Sequence, residues 1–284
     1  MKKKTRIIIR ILIVLLLLIL GVSVWQLLRI RRQYKLEESA HRELLVYRPS
    51  AASTSGTGST PKPVGTDSPA DSSERNESGE TSESDSTDSS DPSASSEPTD
   101  DPVVNNSILL LQADHPNAVG WLTVPGTDVD YPFVQGPDNK YFLRRDIDGK
   151  YLYAGIPFLD WQCRPDFSGD NTIIYGHNLR NGTMFGTLER FKDQSFLNRH
   201  HEVFVYLPTQ TIRAEIAACL VISPRRYPYL YSIQPEADHL ERALADARTT
   251  REIPSTPEQR FITLSTCDYE YNGARVIILA VIDE

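Results

Sequence analysis

The stretch RFITLSTC at 260–267, followed after seven residues by RVIILAVI at 275–282, decides the reading of this chain. Both runs are rich in β-branched and aliphatic residues and read as strands joined by a polar connection. The first ends in Cys267 and the second begins with Arg275. A third strand-like run, NTIIYGHN at 171–178, leads into His177. One thiol, one imidazole and one guanidinium, each at a strand edge, are the parts of a thiol acyl-transfer site.

A cysteine is a strong nucleophile only as thiolate. A free Cys and a free His would both be ionised in only about 1% of molecules at pH 7. Either a close imidazolium stabilises the thiolate or turnover runs through a minority population, and the residues leave both routes open. In each case His177 holds the proton that a leaving amine needs. Arg275 stays cationic and offers a planar fork of donors for an oxyanion or a substrate carbonyl. Ser265 and Thr266, small hydroxyl residues before the thiol, leave room for a peptide carbonyl. Tyr227, Tyr229 and Tyr231 are candidates for lining a peptide groove, with ordinary loop packing as the alternative. Asp268 is read either as orienting His177 or as a solvated turn residue.

Further strands are expected at Gly120–Val124, Tyr131–Val134, Thr172–Tyr175, Val203–Leu207 and Ile212–Ile222. Asn106–Asp114 reads as a short helix burying Ile108, Leu109 and Leu111. Glu236–Arg248 reads as a longer one, with Leu240, Ala243, Leu244 and Ala247 at helical spacing. Many strands, few helices and no alternation of strand with helix point to a closed β-barrel with helical insertions.

The rest of the chain is not uniform. Residues 7–28 are apolar apart from Arg10, Ser23 and Gln26, long enough to span a bilayer. A cleaved signal peptide is the alternative, but Trp25–Leu28 continues the apolar run past the possible site at Gly21–Ser23. Basic residues flank the span on both sides, so charge alone orients it weakly. The expectation is residues 1–6 inside, 7–28 across the membrane and 29–48 as a juxtamembrane helix. Residues 49–102 carry 12 Asp/Glu against 2 Lys/Arg and Val64 as the one large aliphatic residue. Such a segment buries too little apolar surface to offset its ordering entropy and reads as a disordered spacer lifting a domain off the membrane. A folded domain then occupies 103–284. It shows no basic, aromatic-interleaved face, so nucleic acid is not an expected partner. Cys163, Cys219 and Cys267 have no metal-ligand spacing. Cys219 lies in an apolar run and reads as buried, Cys163 as a polar-loop spectator, with a disulfide between the two as a lesser reading.

TLSTC at 263–267, Arg275 and IIYGHN at 173–178 together resemble the signature of the sortases, most of all class B. GWLTVPGTDVDYPFVQGPDNKYFLRRDIDGKY at 120–151 is similar to the N-terminal half of class B enzymes, and NGTMFGTL at 181–188 also fits. The resemblance implies an eight-stranded barrel with an N-terminal helical extension and an inserted helix near 236–248. It implies that Cys267 attacks a threonine carbonyl in a C-terminal sorting motif of a surface protein. His177 would protonate the leaving amine and Arg275 would hold the carbonyl or oxyanion. An amine from a peptidoglycan precursor, or from a pilin, would then take the acyl group. No metal or organic cofactor is implied. The competing readings are a class D or pilin-polymerising sortase, an L,D-transpeptidase and a non-catalytic membrane-tethered barrel. In the L,D-transpeptidases an Arg tends to follow the Cys closely, whereas seven residues intervene here.

Overall fold

The computed structural model describes residues 3–50, 104–254, 256 and 258–283. The expected spacer at 49–102 therefore lies outside the described residues, apart from its first two. Helix α1 (Lys3–Leu44) runs 42 residues without a break, so the expected span and juxtamembrane helix are one element. Its apolar stretch reaches a mean hydropathy of 2.8 and is long and apolar enough to cross a membrane. One 3-10 turn, Leu45–Tyr47, ends it.

Helix α2 (Asn106–Asp114) has the expected bounds. It buries Ile108 and Leu111, whereas Leu109, expected inside, is 44% exposed. The strands are β1 (Ala118–Thr123), β2 (Asp130–Gln135), β3 (Phe158–Leu159), β4 (Asn171–Tyr175), β5 (Glu202–Leu207), β6 (Gln210–Ile222), β7 (Thr249–Thr250), β8 (Phe261–Cys267) and β9 (Arg275–Ile282). Two short helices are inserted, α3 (Gln194–Arg199) and α4 (His239–Asp246).

The strands hydrogen-bond in the order β5-β1-β2-β3-β4-β8-β9-β6-β7, and β5 also pairs with β6. That last pairing closes a ring of eight strands, with β7 hanging on the outside of β6. The barrel is mixed, because β2–β3 and β4–β8 are parallel and the other pairs antiparallel. Closure brings β1 and β5 close, and Gly120 is needed there. A Cβ on it would stand 2.4 Å from the Tyr206 carbonyl oxygen.

Alternation along β8 and β9 sorts the core. Ile262, Leu264, Val276, Ile278 and Ala280 fill the barrel interior. Phe261, Ile277, Leu279 and Val281 face outward under Leu240 and Ala243 of α4. In β6 a bulge between Ile216 and Ala218 shifts the phase, so Ile212, Ala214 and Ile216 face in and then Cys219 does. Strand β1 is buried on both faces. Five of its six residues are buried, because α2 and its neighbours cover the outer face around Trp121. The expected helix at 236–248 appears at its centre as α4.

All three cysteines are free. Cys219 is buried as expected. Cys163 is not a polar-loop spectator. It is 8% exposed, its sulfur accepts the Ile173 N–H at 3.4 Å, and burial pushes its thiol up to about 11.

His239 packs between the rings of Phe261 (5.0 Å) and Tyr229 (5.8 Å), and its Nε2 is buried without a partner. Burial disfavours the cation and lowers its pKa to about 4. Between that value and about 6.5 the unfolded chain binds the proton and the folded one does not. Stability should therefore hold above pH 6.5 and fall by up to about 3 kcal/mol as pH drops to 4. Denaturation midpoints across that range should show this fall, and His239→Leu should flatten it.

Candidate active site

Strand register brings the site together. Cys267 and Arg275 are direct partners in the β8–β9 antiparallel ladder. Residues so paired lie on the same face, about 5 Å apart at Cα. The seven-residue gap between them in sequence is the loop that turns β8 back into β9. On the other side of β8, parallel β4 places Tyr175 opposite Ser265. The Gly176 N–H extends that ladder to the Ser265 carbonyl at 3.1 Å. His177 stands two residues past Tyr175, as Cys267 stands two past Ser265. Glycine is required at 176, where a Cβ would meet the Phe185 ring at 2.5 Å.

Cys267, His177 and Arg275 line one cavity of about 350 Å³, together with Tyr231, Ser265 and Thr266. Among the described residues no hydrogen bond joins the thiol to the imidazole. The His177 Nε2 is 2.8 Å from the Leu143 carbonyl oxygen. A carbonyl only accepts, so Nε2 carries the proton and Nδ1 is left as the base. His177 lies below the ordinary imidazole value, chiefly through burial. The Leu143 bond opposes this, and the positive charges of Arg144 and Arg275 add to it. Arg275 donates one bond to the Ala274 carbonyl at 2.9 Å. Its field also reaches Tyr231, as does that of Cys267.

Of the three tyrosines singled out in the sequence, Tyr231 alone lines the cavity. Its hydroxyl lies 3.0 Å from Ser265 Oγ, and its ring stacks on Tyr175 at 6.3 Å. Tyr229 is turned to α4, where it donates to Asp246 at 3.0 Å and carries the Arg242 guanidinium at 4.2 Å. Tyr227 packs beside it. Thr266 is 2% exposed and its hydroxyl has no partner. By strand alternation it lies on the face opposite Ser265 and Cys267.

Asp268 neither orients His177 nor sits in solvent. Its carboxylate is fully buried and paired with Lys192, which also reaches Glu270 at 3.0 Å. Arg248 holds Glu270 from the other side at 2.5 Å. The Asp268 N–H closes the loop onto the Ala274 carbonyl at 2.9 Å. This cluster fixes the connection that presents Cys267 and Arg275. Asn178 does the same for the histidine side: its Nδ2 donates to the Cys267 carbonyl at 2.9 Å and also to Glu189. Tyr269 in turn donates to the Asn178 carbonyl at 2.7 Å. Leu143, Tyr175, Asn178 and Lys192 carried no sequence expectation. Asn178 stood in the YGHN run, but nothing local marked its partner.

Residues 122–283 match the sortase domain family. The chain belongs to the sortase family. Sortases are cysteine transpeptidases, and this chain is one. It is 33% identical to sortase B of Listeria monocytogenes over 181 residues, covering 62% of this chain and 73% of that protein. Its fold resembles a C232S form of Clostridium perfringens sortase B with a TM-score of 0.60 and 25% identity, covering 63% of this chain and 87% of that one. It also resembles a Streptococcus pyogenes class B sortase involved in pilus biogenesis, with a TM-score of 0.57 and 31% identity, covering 61% and 96%. The relatives that this sortase resembles here are thus class B sortases.

Removing Lys192 would leave the Asp268 carboxylate buried and unpaired. Breaking a buried pair from one side costs about 3–5 kcal/mol. Lys192→Met should therefore lower the denaturation midpoint far more than Arg213→Met, which disturbs a half-exposed cluster on β6.

Proposed function

We propose that this sortase cleaves a C-terminal sorting motif after threonine and transfers the acyl group to an amine of the cell wall. The observation that carries this reading is the cross-strand pairing of Cys267 with Arg275, beside His177, on a single cavity. In the first step the sulfur of Cys267 bonds to the threonine carbonyl carbon while His177 Nδ1 takes the thiol proton. The carbonyl π electrons move onto oxygen, within reach of the Arg275 donors that Ala274 does not occupy. Collapse breaks the C–N bond, and His177 returns the proton to the leaving amine. An incoming amine then attacks the thioester, gives its proton to the imidazole and releases the thiol. None of these steps calls on a metal or an organic cofactor.

The groove walls support a peptide substrate. Ser265 and Tyr231 form a hydrogen-bonded pair on the floor, and Tyr175 backs it. The substrates in this reading are surface proteins with a C-terminal sorting signal, and the acceptor is a peptidoglycan-precursor amine. The pilus-associated S. pyogenes relative favours a second reading, in which the acceptor is a pilin amine. Helix α1 supports a single-pass membrane protein; in this reading its N-terminus is inside and residues 103–284 are outside.

Incubation with LPxTG-like and NPxTN-like peptides, followed by mass spectrometry of the intact protein, should trap an acyl adduct on Cys267. Cys267→Ala should abolish the adduct while the barrel stays folded. Arg275→Lys should lose most turnover, because a point charge lacks the fork geometry; full turnover would refute the role given to Arg275.

The acid limb of kcat/KM depends on neutral His177. Its lowered pKa means the base form persists below pH 6.5, and activity is lost only as pH falls through that depressed value. Arg275→Gln removes one positive charge from its surroundings and should move the His177 titration upward. NMR of the imidazole Cε1–H would read this shift even in an inactive variant.

A further inference from the structure

We propose that direct contact between the membrane helix and the barrel sets their separation, so that the acidic segment 51–103 does not serve as a tether in series between them. Both ends of the segment sit on one patch of the barrel. Pro49 and Ser50 on one side and Asn105 on the other line the same surface cavity, of about 750 Å³, with Thr123 and Tyr206. The returning end is pinned. The Asn105 N–H donates to the Pro208 carbonyl at 2.9 Å, and its side chain donates to the Leu207 and Gln210 carbonyls at 2.5 and 3.1 Å.

The departing end is pinned as well, by the last turns of α1 and the 3-10 turn that follows it. Leu44 and Tyr47 pack on the apolar cluster of Ile108, Leu111, Trp121 and Phe142. Tyr47 donates to Asp114 at 2.5 Å, and Arg48 pairs with Asp130 at 2.7 Å. Further back, the His41 ring lies 4.2 Å from the Tyr131 ring. Glu37, 4% exposed, accepts a hydrogen bond from Thr183, in the loop that follows His177. The helix that leaves the apolar stretch thus reaches the barrel without help from residues 51–103.

The consequence is a fixed height. From Leu28 to Glu37 a helix rises about 14 Å. A free coil of that segment's length would span roughly 40 Å between its ends. Here the distance from membrane to catalytic cavity is set by the helix instead. The cost of closing a loop grows only with the logarithm of its length, so a long excursion between two pinned ends is tolerated. The segment adds negative charge to the chain but no reach.

The test is a distance measurement on the full chain in lipid nanodiscs, using double electron–electron resonance. Spin labels are placed at Lys35→Cys on the helix and Arg225→Cys on the barrel, in a Cys267→Ala background. The expected result is one narrow distance that stays the same, within 3 Å, when residues 51–103 are replaced by a short Gly–Ser link. Should that variant not fold, a variant with the segment doubled in length makes the same test and should leave the distance equally unchanged. A broad distribution whose mean moves with segment length would overturn the proposal. The labelled protein lacks the nucleophile, so the outcome is independent of whether the proposed transpeptidation is right.

Discussion

The ladder between β8 and β9 is the constraint on which the rest depends. It has a single register, because both faces of both strands are buried and a one-residue slip would turn each core side chain outward. That register sets Cys267 against Arg275. The parallel ladder to β4 then sets His177 beside them. The three groups come from two sequence regions about 90 residues apart: Cys267 and Arg275 are aimed by strand pairing, and His177 stands two residues past the end of β4. Catalysis by position requires tolerances that a closed, two-side-packed sheet can hold.

Charge is placed to protect this arrangement. The loop between Cys267 and Arg275 is short of apolar residues and would fray without the Lys192–Asp268–Glu270–Arg248 cluster. The histidine side is tied by Asn178 to the backbone of Cys267 itself, so the two edges of the groove cannot move apart independently. The low dielectric that makes such pairs strong also lowers the basicity of His177, and Arg275 adds to the effect. The same guanidinium that lines the cavity beside Cys267 thus also lowers the proton affinity of the imidazole.

Most elements were legible in the sequence. Helix α2 and the long strands follow from runs of β-branched and apolar residues, and the grouping of Cys267, His177 and Arg275 on one cavity matches their places at or just past strand ends. Two-residue strands β3 and β7 were not legible, since so short a run carries no period. Tyr227, Tyr229 and Tyr231 look alike in sequence. The turn at 228–231 sends Tyr231 to the cavity and Tyr229 to α4, a difference of facing that composition does not encode.

By itself, then, the sequence determined the apolar N-terminal helix, the β-rich domain and the placing of one thiol, one imidazole and one guanidinium at or just past strand ends. Those depend on local pattern, which neighbouring residues carry. The tertiary structure alone decided that Asp268 pairs with Lys192 rather than His177, that Leu143 fixes the histidine tautomer, and that the turn after α1 docks on the barrel through Tyr47 and Arg48. Each is a contact between residues 34 to 82 positions apart, and contacts at that range arise only once the barrel has closed.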